Sequence, residues 1–137
     1  MRVIPLFALV SLAVPATAAR QQLDTLTPSQ AISRVVAASP KPVRAVFQLK
    51  IQSAAKSRAG YYLNSEKDFH SANNIGLVVR ASAMRGLTGK YGQDLKSAFL
   101  GKTIKVIGQA RQLSVARGKA TATQVEVTHA GQILSVS

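Results

Sequence analysis

From residue 43 onward the chain changes sides at every step: Val43, Ala45, Phe47, Leu49 and Ile51 alternate with Arg44, Val46, Gln48, Lys50 and Gln52. A period of two makes this segment a half-buried strand with a wet, basic outer face. Tyr61-Tyr62-Leu63 and residues 75–80 read as second and third strands. The first gap, residues 53–60 (SAAKSRAG), reads as a loop, and the second, 64–74 (NSEKDFHSANN), as a polar, turn-rich connection. Residues 82–100 break the pattern with helix formers interrupted by Gly86, Gly89 and Gly92. They predict one irregular helix or two short ones, the last closed by Gly101. Strand character returns over 103–115 and, after a turn at Arg117-Gly118, over 120–127, where Thr121, Thr123, Val125 and Val127 share a face. Residues 132–136 predict a short final edge segment.

Upstream, Thr27-Pro28-Ser29-Gln30 has the form of a capping box, with Pro28 at the first helical position and Gln30 reaching back to Thr27. Ala31, Ile32, Val35 and Val36 follow at helical spacing, and Pro40 disfavours helix at Ser39. Residues 20–26 are polar and without periodicity and read as a frayed leader.

Three strands, a helical connection and two more strands is the order of a five-stranded OB-fold, a partly open Greek-key barrel. A ferredoxin-like sandwich wants a helix after the first strand, and residues 53–60 are too few for one. An immunoglobulin-like sandwich wants about seven strands and no helix between them. The expected fold is therefore mainly β with a helical connection: an OB-fold barrel over residues 43–137, preceded by a leader and short helix over 20–42.

The first nineteen residues have their own logic. Arg2 precedes an apolar stretch from Val3 to Val14 and then Pro15-Ala16-Thr17-Ala18-Ala19. A basic start, an apolar run too short to span a bilayer and small residues before a polar chain form an export signal, cleaved after Ala18 or Ala19. No cysteine follows to make it a lipoprotein signal. The expected destination is periplasmic or extracellular, with no transmembrane span after cleavage.

With 18 Lys+Arg against 5 Asp+Glu, the chain carries a formal +13, of which the export signal accounts for one. Such a balance points to an anionic partner and excludes cationic ligands. The absence of cysteine excludes disulfides, thiolate metal sites and a cysteine nucleophile, so hydrophobic burial alone must hold the domain.

Specific residues carry a family likeness. Gly60-Tyr61-Tyr62-Leu63-Asn64, then Phe69 and the strand from Ile75 to Val79, resemble the glycine, aromatic, Leu-Asn pattern of small exported bacterial OB-fold modules of the nucleic-acid-binding type. The run from Phe99 through Gly101-Lys102-Thr103 to Gly108 is similar to the start of their fourth strand. Arg117-Gly118-Lys119 and Gln132-Ile133 resemble their hairpin and closing segment. Two departures narrow the surface for base stacking. The fourth and fifth strands carry no aromatic residue, and Ile75-Gly76-Leu77 lacks a bulky run.

OB-folds bind on the face of the second and third strands, flanked by the loops joining strands one to two and four to five. Here those loops carry Lys56 and Arg58, and Arg117 and Lys119, while Lys50, Arg80 and Arg111 lie near the strands between them. Strand alternation sends Leu63 and Tyr61 inward and leaves Tyr62 on the ligand face. The candidate binding residues are thus Lys50, Lys56, Arg58, Tyr62, Arg80, Arg111, Arg117 and Lys119. The expected function is an exported, non-catalytic, monomeric module that grips an anionic polymer, nucleic acid being favoured. An anionic envelope surface, polysaccharide or lipid, is the alternative partner.

A metal-dependent secreted nuclease of the same architecture, using Glu66, Asp68 and Arg80, is the competing class. Such chemistry needs several carboxylates focused on one cation, and the expectation for Glu66 and Asp68 is turn chemistry with local ion pairs to Lys67 or Arg80. Asp24 and Asp94 read as leader or cap residues, and His129 as part of a turn. No catalytic residue, metal or cofactor is expected.

Overall fold

The computed structural model describes residues 23–58, 60–115, 118 and 120–137. The expected export signal at residues 1–19, and Arg117 and Lys119 among the candidate binding residues, lie outside the described residues. Among the described residues the chain is mainly β, with eight strands in one sheet and three α-helices. The strands are β1 (Thr25–Leu26), β2 (Val43–Lys50), β3 (Ser53–Ser57), β4 (Gly60–Asn64), β5 (Ile75–Val79), β6 (Thr103–Val115), β7 (Ala120–Val127) and β8 (Ile133–Val136). The helices are α1 (Pro28–Ala38), α2 (Ala81–Tyr91) and α3 (Leu95–Phe99), with a 3-10 turn at Ala130–Gln132.

Hydrogen bonding runs in the order β1-β2-β6-β7-β5-β4-β3, with β8 on β6. β2 and β3 therefore stand near opposite ends of the path, yet only Ile51 and Gln52 separate them along the chain. Two residues reach less than about 12 Å, so the sheet curls until those ends meet. Its inner face is filled by Phe47, Leu49, Ile51, Leu63, Ile75, Leu77, Ile104 and Val125, all fully buried. On β2 the alternation is as expected, with Ala45, Phe47 and Leu49 buried and Arg44, Gln48 and Lys50 exposed. β5, covered by β4 on one side and β7 on the other, is buried along its whole length.

Thr27 caps α1 in a complete capping box with Gln30, and the helix ends at Ala38, ahead of Pro40. Ala31 and Val35 are its buried positions, and it packs on β2 and β6. The broken helical pattern resolves into α2 and α3. Their buried residues are Ala83 and Leu87, and Leu95 and Phe99. Asp94 caps α3 by accepting from the Ser97 backbone N–H at 3.2 Å and hydroxyl at 2.7 Å. These bonds, the hydroxyl's first, hold its carboxyl below the usual carboxylate range. Their contribution to stability is present above the ordinary carboxylate pKa and fades as pH falls through the lowered one.

Three expectations are corrected. The sheet has eight strands rather than five. Residues 53–60 are not a loop: Ser53–Ser57 pairs antiparallel with Gly60–Asn64 in a tight hairpin. SAAKSRAG is weakly apolar and holds no β-branched residue, so nothing in its composition marks a strand; pairing with the tyrosine strand makes it one. Thr25–Leu26, in the leader, pairs parallel with Val46 and Phe47, and Leu26 is buried.

β6 changes partners along its length. Residues 103–110 pair with β2, and 110–115 with β7, while β8 joins at 104–106 beside a register shift. Gln132, only 8% exposed, bridges the junction. Its Nε2 donates to the Ile107 and Glu126 carbonyls at 3.0 Å each, and its Oε1 accepts from the Thr128 and His129 backbone N–H groups at 2.7 and 3.3 Å. A Cβ on Gly108 would lie 3.1 Å from that Nε2, so the glycine makes room for the amide. Replacing Gln132 by Leu, of similar volume, leaves those backbone groups unpaired. Urea unfolding should show a loss of about 2–4 kcal/mol, against a few tenths for Leu134→Ala at an exposed site.

Candidate functional site

Leu63 is buried and Tyr61 packs against the core, so alternation along β4 turns Tyr62 to the outer face. There it stands opposite Ala55 on β3 and Val78 on β5. Its ring lines a groove of about 590 Å³. Along β4 the groove passes from Ser57 at the β3–β4 turn, past Tyr62 and Asn64, and it continues on β7 from Gln124 back to Ala120. The contour over those two strand segments is roughly 26 Å. Phe69 and His70, from the connection between β4 and β5, form its overhanging wall, their rings 4.1 Å apart.

A buried amide pair holds that connection. Asn74 Oδ1 accepts from the Glu66 backbone N–H at 3.0 Å, while its Nδ2 donates to Asn64 Oδ1 at 3.2 Å and to the Phe69 carbonyl at 3.4 Å. Ser65 adds its hydroxyl, which accepts from the Ile75 N–H at 2.8 Å. Asn64 and Asn74 are 6% and 8% exposed. A Cβ on Gly76 would press within 3.2 Å of Asn64 Oδ1. The missing bulk in Ile75-Gly76-Leu77 therefore leaves room for the Asn64 side chain. Gly60, at φ 141°, is confined for another reason: any Cβ there would collide with the Val79 carbonyl.

The candidate cations fall in different places. Arg111 on β6 stands opposite Gln124, which lines the groove, so it borders the groove on the same face. Arg58 is exposed in the turn that follows Ser57. Arg80 lies beyond Val79 and pairs with Glu126, Nε to Oε1, at 3.4 Å; it does not meet Glu66 or Asp68. Lys50 ends β2 opposite Thr103, away from Tyr62. Lys56 is on a strand rather than in a loop. It sits opposite Tyr61, and so on the face away from Ala55 and Tyr62.

Each of the five acids has a local task. Asp24 pairs with Arg34 at 2.8 Å, Glu66 accepts from Gln52 at 3.3 Å, and Asp68 accepts from the His70 N–H at 2.9 Å. Asp94 caps α3 and Glu126 holds Arg80. Among the described residues no three His, Asp or Glu side chains gather as a metal would need, and no helix is long and apolar enough to cross a membrane. Of the residues that line the groove, Tyr62 is the candidate binding residue that the sequence identifies. Asn64, Asn74, Phe69 and His70 stood in plain view within a polar connection, and Ala120 to Gln124 read only as strand.

No known protein family and no curated protein sequence matches the chain. Among solved structures it is similar in shape to an aspartyl-tRNA synthetase chain from Leishmania major Friedlin, at 6% identity and a TM-score of 0.46, covering 96% of this chain and 23% of that one. A second is an aspartyl-tRNA synthetase from Entamoeba histolytica, at 9% identity and 0.47, covering 93% and 28%. The chain thus spans about a quarter of the length of those proteins. Likeness at that level assigns no activity.

If the amide pair holds the groove wall, Asn74→Ala releases it while leaving the inner core intact. Hydrogen exchange at the Glu66 amide should accelerate by about tenfold or more, as expected when a buried bond is lost, with exchange at Phe47 unchanged. Equal exchange in both proteins would separate Asn74 from the wall.

Proposed function

We propose that this protein is an exported, non-catalytic OB-fold module that binds single-stranded nucleic acid along the groove beside Tyr62. The strand order supports the fold reading. With β2 and β3 counted as one bent strand, β4, β5, β6 and β7 complete a five-strand circuit in Greek-key order, with α2 and α3 between its third and fourth members. β1 and β8 are then additions at its margin. Export rests on the pattern of residues 1–19.

The observation that carries the binding reading is where the groove begins and ends. It starts at Ser57, next to Arg58, and it closes at Ala120, immediately after the stretch that contains Arg117 and Lys119. Tyr62 offers an aromatic face between them, and Arg111 borders its side. Arg58 at one end and Arg111 along the side attract phosphates, and the ring beside them stacks a base. The local engagement of all five acids leaves the Lys+Arg excess uncompensated. It also favours binding over hydrolysis, since Glu66, Asp68 and Arg80 serve separate contacts.

The test is fluorescence anisotropy with a labelled thymidine 15-mer across a sodium chloride series. Log K should fall linearly with log salt. Arg58→Gln and Arg111→Gln should each flatten the slope by about 0.7, the value for one phosphate contact on a single strand. Tyr62→Leu should cost about 1–3 kcal/mol with the slope unchanged. Slopes unaltered by both arginine variants would remove the groove from the reading, and stronger binding to dextran sulfate than to DNA would favour an envelope polysaccharide. Cleavage of the 15-mer with added magnesium or calcium would favour the nuclease.

A further inference from the structure

Resting on the nucleic-acid reading above, we infer that the groove receives bases rather than phosphates, and that the Asn64 side-chain amide donates a hydrogen bond to an acceptor atom on a base edge. The lining chemistry is the first ground. Among the described residues that line the groove there is no lysine or arginine: rings, methyls, hydroxyls and side-chain amides form it, and Arg58 and Arg111 stand outside. A ring-lined surface without lysine or arginine, bordered by Arg58 and Arg111, suits a strand whose bases face in and whose phosphates face out.

The second ground is a chain of hydrogen bonds that fixes which way Asn64 points. A backbone N–H can only donate, so the Glu66 N–H identifies the Asn74 atom 3.0 Å away as its oxygen. The Phe69 carbonyl can only accept, which identifies the other Asn74 atom as nitrogen. That nitrogen donates, so the Asn64 atom it meets at 3.2 Å is Oδ1. Asn64 Nδ2 is thereby left as the remaining polar atom of a residue 94% withdrawn from solvent, since 6% of it is exposed. Among the described residues no hydrogen bond engages it, and it is not sealed from the groove that Asn64 lines. A donor in a nearly buried side chain, locked in orientation and without a partner, is a demand for an acceptor. The carbonyl oxygens and ring nitrogens of nucleobases supply one. A phosphate would supply one too, but among the described residues the lining offers no lysine or arginine to neutralise its charge.

The test compares a thymidine 15-mer with a 15-mer of the same phosphates in which the bases are replaced by abasic tetrahydrofuran units. The wild-type protein should bind the thymidine strand at least about tenfold more tightly, the value of one stacked base. Asn64→Asp keeps the oxygen that accepts from Asn74 and replaces the donor with an acceptor. Its added charge repels both strands alike, so the ratio of the two affinities isolates the base contact. That ratio should fall about fivefold, the worth of one net hydrogen bond. Should this variant fail to fold, the wild-type ¹⁵N spectrum serves instead, where the Asn64 side-chain amide resonances should shift on adding the thymidine strand but not the abasic one. Salt-sensitive binding that is equal for both strands would overturn the inference and leave the proposed function standing. Base preference that persists in Asn64→Asp, or Asn64 resonances that do not move, would remove Asn64 from it. Binding to neither strand would overturn both.

Discussion

Everything in this protein hangs on the bend between β2 and β3. Ile51 and Gln52 leave one ladder and join another, and a bend of this kind strands backbone groups unless something else pairs them. The Ile51 N–H donates to the Lys102 carbonyl at 2.9 Å, and the Ile51 carbonyl accepts from the Gly101 N–H at 2.7 Å. The Gln52 N–H donates to the Asn64 carbonyl at 2.8 Å, and its side chain reaches the Ser65 carbonyl at 2.9 Å. The turn after α3 and the end of β4 therefore clamp the bend from both sides. Gly101, at φ 80°, supplies the left-handed residue that brings its N–H round.

That clamp decides where the groove can be. Curling the sheet puts the large apolar side chains on its inner face and leaves the groove on the outer face of β3, β4, β5 and β7. On that face Tyr62, Asn64 and Gln124 stand beside one another because β4, β5 and β7 are in register. Gln52 and Asn64 take part in both tasks, closing the bend on one side and meeting the groove wall on the other. Fold and site share residues.

The charge has a simpler origin. Five acids in a chain with 18 cations would disperse the field if they sat beside the groove, and none lines it. Each is taken up in a cap, a turn or an ion pair with a near neighbour. Among the described residues the groove has a ring-bearing floor without lysine or arginine, with Arg58 beyond one end and Arg111 along one side.

Much of this was legible in the residues. The alternation of β2, the capping box of α1, the broken helical character of 82–100 and the opposite facing of Tyr61 and Tyr62 follow from local rules, since each depends on neighbours close in sequence. β3 was not legible, because SAAKS carries no strand preference and becomes a strand only through its partner. The side of the sheet on which Lys56 falls was hidden for the same reason. Asn64 and Asn74, ten residues apart, read as turn formers. Their meeting as an orienting pair depends on β4 and β5 lying side by side, with Gly76 leaving the space. By itself the sequence determined the β-rich class, the net positive charge and that Tyr61 and Tyr62 face opposite ways, because period, composition and alternation are local properties. Only the tertiary structure decided which cations border the groove and which amide opens into it, because those outcomes depend on register between strands distant along the chain.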